Sequence, residues 1–326
     1  KEQSNVIDSG FFEKILPKLM LFDTTEAINE LITLQTVPSQ HISVLVEYTV
    51  LLKETNHIQA TLQQQQILTK WHKLEQKQQE LAQASIIKLL VNFNYLKQAR
   101  EIRQQQSEII SKVTLSAVII QQLAADANIS KAKLELVQLL QNIRLHPKPE
   151  ISPDELPAIR QQAAQDEFIL DNLRAQAIAD VALALSEQNK MSEAVHFAEQ
   201  IQLRMGHIQG YTLTKLAKKY ATRGDINTAL LTMESIHRPV NRAASLAQIS
   251  AEVAKKGDLE RAIIIASRIN RQSWRDIAFS EISIAQAKQK DINTAMKTLN
   301  SIQRSYSAVY AMTEIARTLQ ARQNKR

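Results

Sequence analysis

The stretch 225–229 reads DINTA, and it returns with small changes as DLERA at 258–262 and unchanged at 291–295. An earlier version, KMSEA, occupies 190–194. The alanines that close these four stretches are 35, 33 and 33 residues apart. A fixed period of this length is typical of a solenoid, in which each unit buries its apolar face only by stacking on its neighbours. The repeat therefore predicts a stack of similar units.

Aliphatic residues hold fixed places around each of these alanines. The residues three positions before them are Met191, Ile226, Leu259 and Ile292. The residues thirteen positions before them are Val181, Leu216, Ile249 and Ile282, and the series continues at Ile315. Isoleucines also close the units, at Ile201, Ile236, Ile269 and Ile302. Such spacing predicts two helices per unit, each with one buried stripe.

One unit shows how the two helices are separated. We expect a first helix over 211–222, ended by Gly224 in the left-handed conformation. Asp225 then caps a second helix that runs to about Ile236, with Pro239 as a stop. The next unit repeats this pattern with Gly257-Asp258.

The amino-acid composition supports helices throughout. The 326 residues include 5 glycines and 7 prolines, both below ordinary usage, and strand patterns with Asn-Gly turns are nearly absent. We therefore predict an all-α protein, an α-solenoid of antiparallel helix pairs with about fourteen to sixteen helices and no sheet.

The same register continues upstream. Ala99 and Ala132 are 33 residues apart with the expected aliphatic neighbours, and Ala27 and Ala60 have the same separation with weaker neighbours. Four of the seven prolines lie within 147–157 and predict a loop. We expect an N-terminal helical region of divergent repeats at 1–144, a proline-rich connector at 145–158 and a C-terminal repeat domain at 159–326.

The glutamine-rich segment 59–84 is compatible with a prion-like tract or with a helix. Its apolar residues have helical spacing, so we expect one long helix that extends past its neighbours.

The C-terminal units resemble tetratricopeptide repeats, most clearly over 175–326. The residues at the matching places of one unit are Leu216, Ala217, Tyr220, Gly224, Ala229, Met233 and Ile236. The early tryptophan of that family is missing, and its late proline has at best Pro239, two positions early. The resemblance is therefore to a divergent member. It implies that first helices line a concave surface and second helices a convex one.

That implied geometry selects candidate partner-binding residues on the first helices. Cations recur there, above small or apolar positions such as Ala247, Ala251 and Ile284. The predicted groove residues are Tyr211, Lys218, Lys255, Lys288, Tyr310 and Arg317. Trp274 and Arg275 form a second candidate patch, because Trp and Arg are enriched in binding centres. Packing of Trp274 between repeats and solvation by exposed lysines are the simpler interpretations.

Charge is distributed unevenly along the chain. Residues 201–326 contain 21 Lys+Arg and 9 Asp+Glu, a net of +12, and residues 1–200 contain 19 and 24, a net of −5. We expect a protein or peptide partner, acidic in character, bound in the groove by a non-enzymatic scaffold or assembly factor. The alternative is a helical-repeat protein that binds nucleic acid through its basic half, and self-association through repeat ends is a third possibility.

Catalysis, metals and cofactors have no sequence support. The chain lacks phosphate-binding glycine loops, His-Glu-x-x-His pairs and cysteines, and no two of its seven histidines lie three to five residues apart. No span is long and apolar enough to cross a membrane. We expect a soluble bacterial protein of the cytoplasm or periplasm, with export slightly favoured by the missing cysteines and the non-Met start.

Overall fold

The computed structural model describes residues 37–146, 157–289 and 291–323, which form fifteen α-helices and no β-strand. The first seven helices are α1 (Pro38–Thr55), α2 (His57–His72), α3 (Gln76–Asn92), α4 (Leu96–Gln104), α5 (Ile109–Ala125), α6 (Ile129–Leu145) and α7 (Pro157–Glu187). The others are α8 (Met191–Glu199), α9 (Gly206–Arg223), α10 (Ile226–Glu234), α11 (Pro239–Lys255), α12 (Leu259–Ser267), α13 (Gln272–Lys288), α14 (Ile292–Asn300) and α15 (Ser305–Gln323). The all-α, helical-repeat fold is thereby confirmed. The helix number of the whole chain stays a prediction.

The chain divides into two compact units, 1–177 and 178–326. The division lies within α7, C-terminal to the connector expected at 145–158. Most of that connector, 147–156, lies outside the described residues, and its two edges are the end of α6 and the start of α7. The predicted domain limits therefore remain a prediction.

Each unit follows one packing scheme. In the first unit, α1, α3 and α5 pack side by side in chain order, and α2, α4 and α6 pack against them. In the second unit, α9, α11, α13 and α15 form the corresponding row, and the short helices α10, α12 and α14 each contact the long helix before and the long helix after. We call α9, α11, α13 and α15 the first helices. Every repeat is thus one helix pair, and it packs on the repeat that follows.

The period is exact from α9 to α15. The first helices begin at Gly206, Pro239, Gln272 and Ser305, each 33 residues after the last, and the short helices α10, α12 and α14 are nine residues long. Close packing accompanies this regularity. A Cβ on Gly210 of α9 would lie 2.7 Å from the Cβ of Asn241 on α11, so only glycine fits between these helices at that point.

Two of the residue sets that define the register, the alanines and the anchors thirteen positions earlier, are buried. The alanines have no exposed surface: Ala99, Ala132, Ala194, Ala229, Ala262 and Ala295. The anchors thirteen positions earlier are also buried: Ile86, Ile119, Val181, Leu216, Ile249, Ile282 and Ile315. An alanine without exposed surface allows two helix backbones to approach closely, and a larger side chain there would force them apart. This confirms the upstream repeats at Ala99 and Ala132. Ala60 is buried as well, and Ala27 lies outside the described residues.

A left-handed residue follows the earlier helix of five of the helix pairs. Gly224 and Gly257 have φ of 95° and 98°, and non-glycine residues take the same place upstream. These are Asn94, Ala127 and Asn189, with φ between 56° and 65°. The reversed φ turns the chain sharply, so that the second helix can fold back on the first.

Aspartates then cap the second helices where the sequence predicted them. Asp225, Asp258 and Asp291 each accept a hydrogen bond from the backbone N–H three residues ahead, at 3.1, 3.2 and 3.0 Å. Each carboxylate satisfies one of the N–H groups that have no partner within the helix.

Two expectations about helix ends were wrong. The segment 59–84 forms two helices, because α2 ends at His72 and α3 begins at Gln76. The Gln79 amide donates to the carbonyl of Leu74 at 2.9 Å, and the Trp71 indole donates to the carbonyl of Gln79 at 3.1 Å. These bonds close a turn that needs neither glycine nor proline, so composition gave no signal for it.

Pro239 is the first residue of α11 and not a stop after α10. Proline suits a first helical position, because the N–H that it lacks would have no partner within the helix there. The second helix instead ends at Glu234, and Ile236 closes the unit as a buried residue.

Candidate partner-binding face

The four first helices of the second unit repeat every 33 residues, so residues at equivalent positions form rows that cross from one helix to the next. The position of Tyr211 is shared by Ala244, Ile277 and Tyr310, and we call these four the apolar row. Tyr211 is 55%, Ile277 42% and Tyr310 45% exposed, and Ala244 is half-buried. Large apolar side chains therefore reach solvent on three of the four helices.

A second row lies one helical turn further along each first helix. It consists of Lys215, Gln248, Glu281 and Glu314, and we call it the charged row. The Lys215 amine lies 4.6 Å from the centre of the Tyr211 ring. The Tyr310 hydroxyl donates to a Glu281 carboxylate oxygen at 3.5 Å. The two rows therefore lie close enough for their side chains to touch, and one elongated ligand can meet both.

The charge in the charged row changes sign from α9 to α15. The Glu281 carboxylate raises the pKa of Tyr310 most strongly, partial burial and the Glu314 carboxylate add to it, and the positive charge of Lys255 opposes it. The two carboxylates thus outweigh the nearby ammonium at this end of the apolar row, whereas Lys215 places a cation at the other end.

The predicted basic residues occupy two positions of the repeat. Lys218 and Arg317 share one position, and Lys255 and Lys288 share the position one turn later. The outer helices α9 and α15 therefore have their predicted cation at the earlier position, and the inner helices α11 and α13 have theirs at the later one.

Three of these four cations are already paired. Lys218 and Lys255 lie 4.0 and 3.1 Å from the same Glu252 oxygen, and Arg317 lies 2.6 Å from Glu314. All three remain substantially exposed, at 48%, 53% and 71% of the side chain. The Lys288 amine forms no ion pair within the described ranges. An acidic ligand would have to compete with carboxylates of this chain at the three paired cations.

The expected floor of the groove is mostly core. Thr214, Ala247, Ala251, Ser280 and Ile284 are all buried. They point between neighbouring helices, because a first helix packed on both sides leaves only a narrow stripe for solvent. On α9 that stripe is made of His207, Tyr211, Lys215, Lys218 and Thr222.

The second candidate patch belongs to a joint between repeats. Trp274 and Arg275 are half-buried, and the Arg275 guanidinium donates to the side chain of Gln272. Gln272 in turn donates to Asp276 at 2.6 Å, and Asp276 accepts the backbone N–H groups of Gln303 and Arg304 at 3.3 and 3.1 Å. At the position of Trp274, α9 and α15 have the buried residues Ile208 and Ser307. The half-burial of Trp274 and the buried residues at its equivalent positions favour the packing interpretation of Trp274.

The acidic residues of this face were not predicted from the sequence. Glu252, Glu281 and Glu314 were not among the predicted residues, and Lys215 was overlooked. The charged row could have been found from the sequence, because its residues are successively 33 residues apart: Lys215, Gln248, Glu281 and Glu314. The contact between Glu252 and Lys218 does not follow from the 33-residue spacing, because it depends on how α11 lies against α9.

Two further findings concern metal sites and membrane spans in the described residues. No cluster of three or more histidine, aspartate or glutamate side chains that could hold a metal ion occurs in the described part of the chain. Within the same residues, no helix has both the length and the hydropathy to cross a membrane.

Comparison with known proteins supplies little further. No family model matches the chain, and no curated protein matches it. Among solved structures, it is similar to Ton1535 from Thermococcus onnurineus NA1, with 15% sequence identity and a TM-score of 0.34 over 94% of this chain and 90% of that one.

Proposed function

We propose that this protein is a non-enzymatic scaffold or assembly factor that binds a segment of a partner protein on the first helices of its second unit. The single observation behind the proposal is the apolar row, in which Tyr211, Ile277 and Tyr310 remain 42–55% exposed on three helices. Exposed tyrosines provide contact area at low entropic cost and are enriched in binding centres, and Ile277 adds exposed apolar surface between them. The resemblance to tetratricopeptide repeats supports the same use of this face.

A photo-crosslinking residue at position 277 tests the proposal in the organism that makes the protein. The matched control is position 264, because Ile264 is also exposed, at 57%, but lies on the second helix α12. We expect a discrete adduct from position 277 and none from position 264. The partner in that adduct is identified by mass spectrometry and purified.

Binding of the purified partner then gives the quantitative test. Ile277→Asp places a charge in the middle of the apolar row and should weaken binding at least tenfold, whereas Ile264→Asp should leave it unchanged. Equal adducts from both positions, or full binding by Ile277→Asp, would show that this face is not the site.

The contribution of the basic residues is tested separately. Lys288→Glu reverses the cation that has no ion pair in the described part of the chain, and Lys297→Glu makes the same change on the second helix α14. If the partner is acidic, Lys288→Glu weakens binding and raised salt has a similar effect, because exposed charges are screened over about 8–10 Å. Equal binding by both variants would show that Lys288 does not contact the partner.

A further inference from the structure

The apolar row limits the length of chain that can lie along it. Packed helices lie 8–10 Å apart, so three intervals from α9 to α15 span roughly 24–30 Å. An extended chain advances about 3.3 Å per residue, and about eight residues cover that span.

The charges that such a segment meets are those of the charged row. Glu281 is one turn from Ile277 on the same helix, an axial distance of about 6 Å. Lys288 is eleven residues from Ile277, or about 16 Å at 1.5 Å per residue. Side chains of a segment seated on the apolar row therefore reach the charged row and fall short of Lys288.

The two ends of the charged row offer opposite charges to a ligand. At the α9 end, the Lys215 amine rests on the Tyr211 ring and forms no ion pair in the described residues, and Lys218 lies beside it at the outer limit of contact with Glu252. At the other end, Glu281 forms no ion pair in that same part of the chain, and its contact with Tyr310 is a long hydrogen bond. The α9 end therefore presents two cations beside one carboxylate, Glu252. At the other end Glu281 and Glu314 outweigh the charge of Lys255 at Tyr310, although Arg317 pairs with Glu314.

We infer that the bound segment is bipolar: an extended stretch of about eight residues with apolar side chains in its middle, acidic side chains over α9 and basic side chains over α13 and α15. This inference rests on the proposed function and adds the chemistry of the ligand. It replaces the expected acidic ligand by one in which only the end over α9 is acidic. Complementary charge at both ends fixes the direction of the segment and rejects ligands of one sign.

Four fluorescein-labelled synthetic octapeptides test the inference by fluorescence anisotropy. All contain the same four central apolar residues. Two are bipolar, with two glutamates at one end and two lysines at the other in either order along the chain. The third has glutamates at both ends, and the fourth has lysines at both ends. We expect one of the bipolar peptides to bind most tightly at low salt.

Charge reversals at the two ends should change this preference in opposite ways. Lys215→Glu should weaken the preferred bipolar peptide roughly threefold to tenfold and strengthen the all-lysine peptide. Glu281→Lys should weaken the same bipolar peptide by a similar factor and strengthen the all-glutamate peptide. The matched controls are Lys297→Glu on α14 and Glu260→Lys on α12, which should leave all four affinities unchanged.

The peptide experiments test the bipolar inference, and the crosslinking experiment tests the proposed function. If the all-glutamate or all-lysine peptide binds wild-type protein best, or if no peptide binds below about 1 mM, the bipolar inference is overturned. The adduct from position 277 still decides the proposed function in that case. If a peptide binds but Ile277→Asp does not affect it, the apolar row is not its site and the bipolar inference is overturned, whereas the crosslinked partner still tests the proposed function.

Discussion

Five residues end their helices in the same left-handed conformation, although only two of them are glycine. Asn94 and Asn189 tolerate a positive φ, because a short polar side chain can hydrogen-bond locally, but Ala127 has no such compensation. The turn is therefore imposed by the stacking of the helices on each side. At Ala127 the protein accepts local strain in order to keep the repeat geometry.

Exchanging glycine and alanine at two equivalent turns should have opposite effects. Ala127→Gly relieves the left-handed strain and should raise the free energy of unfolding by about 0.5–1 kcal/mol, and Gly224→Ala should lower it by a similar amount. A Cβ on Gly224 would contact only the Lys256 amine, at 3.6 Å, so steric overlap does not contribute to the change in unfolding free energy. Urea unfolding of both variants measures the two changes. The same sign for both would mean that φ does not control these positions.

The capping aspartates make stability depend on pH. Hydrogen bonds from the Thr228 side chain and then its backbone N–H lower the pKa of Asp225, and Thr294 does the same to Asp291. Because the folded-state pKa is lowered, this stabilisation is complete above the unfolded pKa and is lost as pH falls through the folded pKa.

The double variant Asp225→Asn with Asp291→Asn keeps a neutral cap that does not titrate. Its deficit in unfolding free energy relative to wild type should therefore shrink as pH drops from 7 to below about 4. Urea titrations at three pH values measure this. A deficit that stays constant with pH would show that the carboxylate charge is not involved.

Substitutions at a repeat alanine and at an exposed residue two positions later should have very different effects on stability. Ala262→Glu should destabilise the protein by several kcal/mol, because Ala262 has no exposed surface and the new side chain would be crowded and its charge unpaired. Ile264→Glu on the same helix should change stability by less than about 0.5 kcal/mol, since Ile264 is 57% exposed. Thermal melting compares the two. Similar melting temperatures would mean that the register is misplaced.

At the scale of an element, α15 differs from the other first helices in its exposure. Its residues Val309, Met312 and Leu319 are 59%, 50% and 36% exposed. The equivalent positions of α11 hold Ala243, Leu246 and Val253, which are all buried. On α13, the position of Val309 holds Asp276, which faces the start of α15. The same face of the repeat therefore contacts a following helix in α11 and α13 and is open to solvent in α15.

This difference predicts different costs for the same chemical change. Leu246→Asp should destabilise by several kcal/mol, because it removes buried apolar surface and buries a charge. Met312→Asp, at the equivalent position of α15, should cost less than about 0.5 kcal/mol. Urea midpoints of the two variants test the assignment. A large loss for Met312→Asp would show that α15 is covered in solution, and size measurement would then show whether a second copy covers it.

At the scale of the whole molecule, net charge alone suggests binding to nucleic acid, but the described face is mixed. Residues 201–326 carry a net of +12, yet Lys218, Lys255 and Arg317 lie beside Glu252 and Glu314. We therefore expect weak retardation of arbitrary single-stranded RNA, with a shallow dependence on salt between about 50 and 200 mM. Electrophoretic retardation measures this. A steep salt slope that Lys255→Glu with Lys288→Glu abolishes would favour the nucleic-acid alternative.

The chain's sequence by itself determined the fold class, the helix pairs and the buried register. Ala229 and Ala262 could be placed in the core without a structure. Each repeat buries the same positions against the same neighbours, and the sequence therefore shows apolar residues with a 33-residue period. The capped turns at Asp225 and Asp258 were equally visible, because capping needs only residues adjacent in the chain.

Only the tertiary structure decided which exposed side chains act together. Lys218 meets Glu252 across 34 residues, and Tyr310 meets Glu281 across 29, so neither contact has the period of the repeat. Such contacts depend on the relative offset and tilt of neighbouring helices, which the burial of apolar residues sets and which no local pattern records. For this reason the sequence located the first helices and their cations, whereas the pairing of Lys218 and Lys255 with Glu252 emerged only when the helices were packed together.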